Sequence, residues 1–426
     1  MTVRPTLQTI SRVLQKGMER AIITEEDTAI IFYDLTHLKE RVDYIKQVFP
    51  ESTLHAIAVK ANPLIRILDK FNEWNTGAEV ASLPELFLAQ KAGFEPSKIV
   101  FDSPAKTEKE LKIALDMGVN INIDSCQEFD RIVALISRYP GSRNIGIRVN
   151  PQIGIGAIKL SSVAGEYSKF GIPVKEFRTK IISCYKRHKW LNSMHVHIGS
   201  QGCSVDMLVD GIKIVYDLAV EINRLSECQN QIKTFDIGGG FPVSYHFAAA
   251  PIDIREYVTR LLDKCPLLFN HSISLVTEFG RYLSANAGWI ASRVEYIKET
   301  KEVKTAIIHV GADVLLRRCL RPDDWYHEIS ALDSSGCLKD SLGSSRYTIA
   351  GPLCFSGDML AENVSMPEIS ANDFVIIHDT GAYALSMWSR YNSRQIPKVV
   401  GYYDEGDEFL LIKRREEVDD LLKFWI

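Results

Sequence analysis

Lys60 is the residue around which the chemistry of this chain can be arranged. It stands in the apolar, partly β-branched run 56–63, AIAVKANP, just ahead of Ala61, Asn62 and Pro63. An ammonium at the end of a buried strand is costly without a partner, but a desolvated lysine of lowered pKa forms a Schiff base with a carbonyl compound. The plain alternative is a snorkelling side chain at a strand end, and this run alone favours it. The other polar positions reverse that balance. Gly238, Gly239 and Gly240 are consecutive, so their N–H groups can close on a phosphate; Arg281 can add a bidentate contact and Ser200 a hydroxyl. Glu278 can hold a pyridine nitrogen protonated, which makes the ring a stronger electron sink, or it is a surface ion pair with Arg281. His195 and His197 share one strand face, yet no third ligand at metal-like spacing accompanies them. A flat imidazole against an aromatic ligand is the more economical use of His197, with His195 structural. In GPLCFSGD (351–358) the Cys354 thiol lies four residues from the Asp358 carboxylate, and HDTGAY (378–383) ends on the Tyr383 phenol. Taken singly, these read as a buried thiol and a core aromatic.

Strand-like runs at 56–62, 77–82, 99–104, 120–125, 144–151, 193–200, 234–240 and 274–281 must position these groups. Helical patterns at 84–93, 107–118 and 126–139, and the segments 204–226 and 251–264, lie between them, several ending at glycine. Eight such units in about 225 residues match a (β/α)8 barrel, whose active site lies at the carboxyl ends of its strands. Lys60, Glu79, Ser82, Asp102, Asp124, Arg148, Asn150, His197, Ser200, the glycine triplet, Glu278 and Arg281 all fall at those ends. The long glycine-rich stretch 152–172 reads as a lid over the substrate. Beyond about 285 the strands at 289–297, 305–312, 347–354 and 374–379 have no long helices between them, and 399–416 reads as a hairpin around Glu405–Gly406. The expected fold is therefore α/β, a barrel plus a C-terminal β-rich domain of barrel or sandwich type. The expected division is 1–36, a helix and a strand joining the β domain; 37–283, the barrel; and 284–426, the β domain.

A chain of 426 residues suits two domains. Its 46% hydrophobic and 24% charged residues are those of an ordinary globular protein, and a net charge of −4 gives no footprint for nucleic acid or a membrane surface. No apolar run is long enough to span a bilayer, and the N-terminus reads as an amphipathic helix rather than a secretory signal. Eight cysteines without a CxxC or metal-like spacing fit reduced thiols in a cytoplasm.

AVKAN with Lys60, HVHIGSQ (195–201), FDIGGGFP (235–242), TEFGRY (277–282), CFSGD (354–358), DTGAY (379–383) and YNSRQIP (391–397) occur in this order from about residue 28 to 415. In that order they resemble the fold type III, alanine-racemase-like decarboxylases that use pyridoxal 5'-phosphate (PLP), the group of diaminopimelate, ornithine and arginine decarboxylases. The HIGSQ and CxSGD forms look closer to the diaminopimelate branch. The resemblance implies that Lys60 holds PLP as a Schiff base, His197 stacks on its ring and Glu278 pairs with the ring nitrogen. It implies phosphate contacts from Ser200, Gly239, Gly240, Arg281 and Tyr383, and places Arg148 near the cofactor oxygen. Cys354 would return a proton to the substrate carbon after carbon dioxide leaves. Cys354 and Asp358 would reach the site of a partner subunit, making a homodimer.

Three positions depart from that family's pattern. Phe279 replaces a usual proline, Glu79 a common aspartate, and Phe355 an acid that meets the substrate's distal ammonium. Phe355 cannot accept that hydrogen bond, whereas Arg317, with Arg318 and Arg321 nearby, corresponds to the residue for a distal carboxylate. The expectation is a specialised amino-acid decarboxylase acting on a substrate with an anionic or blocked far end, as in siderophore, antibiotic or polyamine biosynthesis, with meso-diaminopimelate decarboxylation as the alternative. A racemase would need a tyrosine in place of Cys354. A catalytically inactive regulator has no need of Lys60, His197, Glu278, Arg281 and Cys354 together.

Overall fold

The structure, a computed structural model, describes residues 4–141, 143–249, 252–301, 303–339 and 343–426. It divides into two compact units, one of 42–243 and 252–282, the other of 1–41, 244–251 and 283–426.

In the first unit eight parallel strands close on themselves: Leu54–Ala58, Gly77–Val80, Ile99–Asp102, Asn120–Ile123, Ile145–Asn150, Ser193–His195, Thr234–Asp236 and Ser274–Thr277. The eighth pairs with the first, Val276 opposite Leu54, which completes the barrel. These strands are buried on both faces, and the polar residues within them, such as Asn120, Asn122 and Arg148, are held by hydrogen bonds or ion pairs. Helices cover them, and Ser82, Thr107, Ser125, Ser204 and Asp253 cap five of these at their N-termini. Thr107 and Glu110 form a reciprocal capping box before Glu108–Met117, and Gly118 at φ +79° ends that helix.

Each barrel strand stops short of its sequence run because polar and turn residues begin there. The first ends at Ala58, and Lys60 lies in the single 3-10 turn Val59–Ala61, closed by the Asn62 N–H donating to the Val59 carbonyl at 3.0 Å. Lys60 is thus one turn past the strand, not its last residue.

The second unit is a mixed sheet. Met359–Pro367, Ser344–Ala350, Val303–Ile308, Gly288–Thr300, Ala29–Asp34, Lys398–Tyr403 and Glu408–Lys413 follow one another across it, while Phe374–Ile377 joins Gly288–Thr300 to Ile329–Leu332. The early strand Ala29–Asp34 sits in its middle, antiparallel to Gly288–Thr300 and parallel to Lys398–Tyr403. Helix Leu7–Glu19, capped by Thr6, packs Ile10, Val13 and Leu14 onto Phe32, Trp289, Phe374 and Tyr402. The run expected to 354 ends as strand at Ala350, since Gly351–Pro352 cannot continue the ladder.

Candidate active site

The pairing of Ala58 with Glu79 brings a carboxylate of the second strand beside the Lys60 turn. Lys60 Nζ donates to Glu79 Oε2 at 2.5 Å; the glutamate side chain is fully buried, the lysine 37% exposed. An aspartate would not have that reach. Burial pushes Glu79 up to about 7 against the pull of Lys60. The short ion pair and the raised carboxyl point in opposite directions, and burial is the larger influence. At that value Glu79 carries a proton for part of the time near neutrality, within hydrogen-bond reach of the amine that would attack a carbonyl.

Past the seventh strand, Gly238 and Gly240 adopt φ +68° and +95°, conformations that suit glycine. A Cβ on Gly239 would run into the Glu278 carbonyl, and one on Gly240 into the Gly199 carbonyl. The triplet is a cradle that only bare backbone can line. Gly239 N–H donates to His197 Nδ1 at 3.1 Å. Burial, followed by the charges of Arg148 and Lys60, holds His197 well below its ordinary value, so its ring is a neutral plane. Arg281 Nε donates to Ser200 Oγ at 3.3 Å, so the two expected phosphate contacts are brought together.

Deeper in the barrel is a layer of charge. Arg148 pairs with Asp102 at 2.7 Å and lies 3.7 Å from Asp124. His195, fully buried, has Nδ1 3.3 Å from Asp236 and Nε2 3.7 Å from Asp102. Burial raises Asp102, but Arg148 and His195 outweigh it and carry the carboxyl well below its usual range; His195 also lowers Asp236 against the effect of burial. Glu278 is different. Burial, reinforced by Asp236, drives it well above the ordinary carboxylate range, and its Oε1 is buried with no hydrogen-bond partner. Asp236 carries no signal of its own in the sequence, where His195 reads as structural. The signal for both lies in register: Arg148, His195 and Asp236 are partners on three adjacent strands, visible only once the strands are aligned.

The stretch 152–172 is stitched down at several points. Val163 N–H donates to the Ile198 carbonyl at 3.1 Å and Ser200 N–H to the Ser161 carbonyl at 2.9 Å. Phe170 lies on the Arg148 guanidinium at 4.7 Å, and Gly171 N–H donates to Asp124 at 3.1 Å.

In the β unit Cys354 is exposed; its N–H donates to Asn392 Oδ1 at 2.8 Å and its carbonyl accepts from Tyr391 at 3.1 Å. Phe355 meets Tyr391 edge-on at 6.1 Å. Asp358, expected at the substrate, is turned inward. It is 3% exposed and accepts from Ala312 N–H at 2.6 Å and Leu353 N–H at 2.7 Å, so it shapes the loop that displays Cys354 and Phe355. The Arg317 guanidinium stacks on Trp325 at 4.7 Å and on Tyr383 at 4.8 Å, bringing two expected site residues together. Arg318 is spent on the carbonyls of Leu360, Pro322 and Trp325, and Arg321 on Asp324.

An orphaned buried carboxylate oxygen on Glu278, a glycine cradle and a neutral imidazole plane fit a phosphorylated aromatic aldehyde. Residues 35–285 match the family model for the pyridoxal-binding domain of the pyridoxal-dependent decarboxylases, and the chain belongs to that family. It is an amino-acid decarboxylase whose cofactor is PLP. It is 30% identical over 412 residues to the diaminopimelate decarboxylase of Zymomonas mobilis, covering 94% of this chain and 93% of that one. It is likewise 30% identical to the Campylobacter jejuni diaminopimelate decarboxylase, over 93% and 95%. The crystal structure of the Helicobacter pylori diaminopimelate decarboxylase complexed with L-lysine superposes with a TM-score of 0.84 at 26% identity, over 96% of this chain and 99% of that one. No helix among the described residues is long and apolar enough to cross a membrane.

Proposed function

We propose that this chain removes carbon dioxide from meso-diaminopimelate, working as a homodimer in the cytoplasm. The observation that carries the reading is the Lys60–Glu79 ion pair together with the Gly238–Gly240 cradle at the carboxyl ends of the barrel strands. Relatives named diaminopimelate decarboxylase over more than nine-tenths of both chains favour that substrate over the specialised one expected from Phe355.

Bound PLP supplies an electron sink for the bond between the α-carbon and its carboxylate. Lys60 would hold it, and Glu79, hydrogen-bonded to the Lys60 amine at 2.5 Å, would orient that amine. His197, kept neutral, would lie flat on the ring. Glu278 would face the ring nitrogen, and Gly239, Gly240, Ser200, Arg281 and Tyr383 would hold the phosphate. Cys354 Sγ would deliver a proton to the α-carbon. Arg317 would pair with the substrate's far carboxylate, its plane fixed by Trp325 and Tyr383.

A second reading rests on Phe355. An apolar ring displayed beside Cys354 gives no acceptor for a far ammonium, which suits a substrate whose far end is anionic or amide-blocked. Carbon dioxide release by the PLP-loaded protein from meso-diaminopimelate, L-ornithine, L-lysine, L-arginine and amino acids with carboxylate or amide tails separates the two. Release chiefly from diaminopimelate supports the first; silence there with turnover of a blocked tail establishes the second. Silence throughout would overturn both.

A further inference from the structure

Arg148, on the fifth barrel strand, is 5% exposed, and its two carboxylates meet it at one nitrogen: Nη1 is 2.7 Å from Asp102 Oδ2 and 3.7 Å from Asp124 Oδ1. Two acids at one corner fix that corner and leave the plane of the guanidinium to be set by something else. The far end of the 152–172 stretch meets the same group. The Phe170 ring centre lies 4.7 Å from the guanidinium carbon. The Gly171 N–H donates at 3.1 Å to Asp124 Oδ1, the oxygen that also faces Nη1. Gly171, at φ +71°, sits so close that a Cβ there would stand 3.1 Å from the Arg148 carbonyl oxygen and 3.3 Å from its Cγ.

We propose that Phe170 is a positioning residue for the decarboxylation: its ring fixes the plane of the Arg148 guanidinium, so that docking of the 152–172 stretch and orientation of Arg148 are one event. This rests on the placing of Arg148 beside the cofactor. The ring is itself held from several sides. Phe170 N–H donates to Ser168 Oγ at 3.2 Å, and Ser168 Oγ to the Val163 carbonyl at 2.5 Å. Asn150 Nδ2 donates to the Gly165 carbonyl at 3.0 Å. Immediately beyond the ring, Ile172 and Pro173 pair in parallel with Val149 and Asn150, so ring and guanidinium are carried by adjoining backbone.

A cation against an aromatic face is attracted by the ring's quadrupole, more strongly when both are out of water. Lys169 Nζ lies 4.9 Å from the same ring, but Lys169 is exposed, so the buried guanidinium is the stronger partner. A phenyl ring neither donates nor accepts a conventional hydrogen bond. It covers the guanidinium face without competing for Asp102 or Asp124.

The test reads Arg148 directly: the rate at which phenylglyoxal modifies it in the apoprotein, located by peptide mass mapping. Phe170→Leu is expected to speed modification by about three- to thirtyfold, the range of one such contact, and Phe170→Tyr to leave it near the parent rate. A ring that only filled space would be replaced as well by leucine. Equal rates in the two variants, or an unchanged rate in Phe170→Leu, therefore overturn the proposal. In the PLP-loaded enzyme kcat should fall by a similar factor in Phe170→Leu and recover in Phe170→Tyr, with KM changed by less than about twofold. Arg148→Gln separates the two assignments. If it leaves kcat and the cofactor's visible spectrum unmoved, the placing of Arg148 fails; if it lowers kcat while Phe170→Leu does not, only the role of Phe170 fails. With Arg148→Gln already present, Phe170→Leu should lower kcat no further; an additive loss would show that the ring acts elsewhere and overturn the proposal.

Discussion

At the scale of the residue, each site group does something its neighbours force on it. Gly240 has φ +95° and faces the Gly199 carbonyl where a Cβ would stand. Gly240→Ala should therefore cost about 1–3 kcal/mol in backbone strain alone and weaken cofactor binding by about tenfold or more. Titration with PLP checks the affinity, and thermal unfolding of the apoprotein checks the strain. Cys354 is held at the front of its loop by Asn392 and Tyr391. If it is the proton donor, Cys354→Ala should lower turnover by about 10²–10⁴-fold while the visible spectrum of the bound cofactor stays as it is. Single-turnover kinetics beside an absorbance scan separate those outcomes.

At the scale of the element, the barrel strands are legible because short segments rich in Ile, Val and Phe, set between glycines and polar turns, recur with helical patterns between them. That is why the sequence places Lys60, the glycine triplet and Glu278 at or just past strand ends. What was not legible needs closure. His195 and Asp236 lie forty-one positions apart and become partners only through the register of the sixth and seventh strands. In the β unit Met359–Pro367 was missed because it is an edge strand with exposed Glu362 and Asn363 and a left-handed Asn363 at φ +56°, so its periodicity fades. The inward turn of Asp358 was equally hidden: CFSGD gives its spacing from Cys354 but not the Ala312 and Leu353 N–H groups that capture it. The 152–172 stretch is stitched to the loop that carries Ser200. Gly202 at φ +92° leaves no room for a Cβ against the Ile158 backbone. Gly202→Ala should speed hydrogen exchange at the Val163 and Ser200 amides by about tenfold or more, measured by NMR, and raise KM more than it lowers kcat.

At the scale of the whole molecule, stability depends on carboxyls that the fold buries. Asp379 is 1% exposed, paired with Arg4 at 2.8 Å and Asn286 at 2.7 Å, and burial still pushes it up to about 7. Its folded value lies above the unfolded one near 3.8. The folded state therefore binds the proton more tightly, and this contribution to stability falls as pH rises from about 4 to about 7. The shift corresponds to roughly 4 kcal/mol. Asp379→Asn should flatten that part of the stability profile, as denaturant unfolding at pH 5 and pH 7.5 will show; an unchanged slope would mean that Arg4 keeps the carboxylate ionised throughout.

PLP is expected on Lys60, just past the first strand of the barrel. Sodium borohydride reduction of the holoenzyme fixes the cofactor carbon to the lysine nitrogen that carries it, and peptide mass mapping then reads the position. The pyridoxyl mass is expected on Lys60 and should be lost in Lys60→Ala. The mass on another lysine, such as the buried Lys106 that pairs with Glu128 at 2.9 Å, or on none, would contradict it.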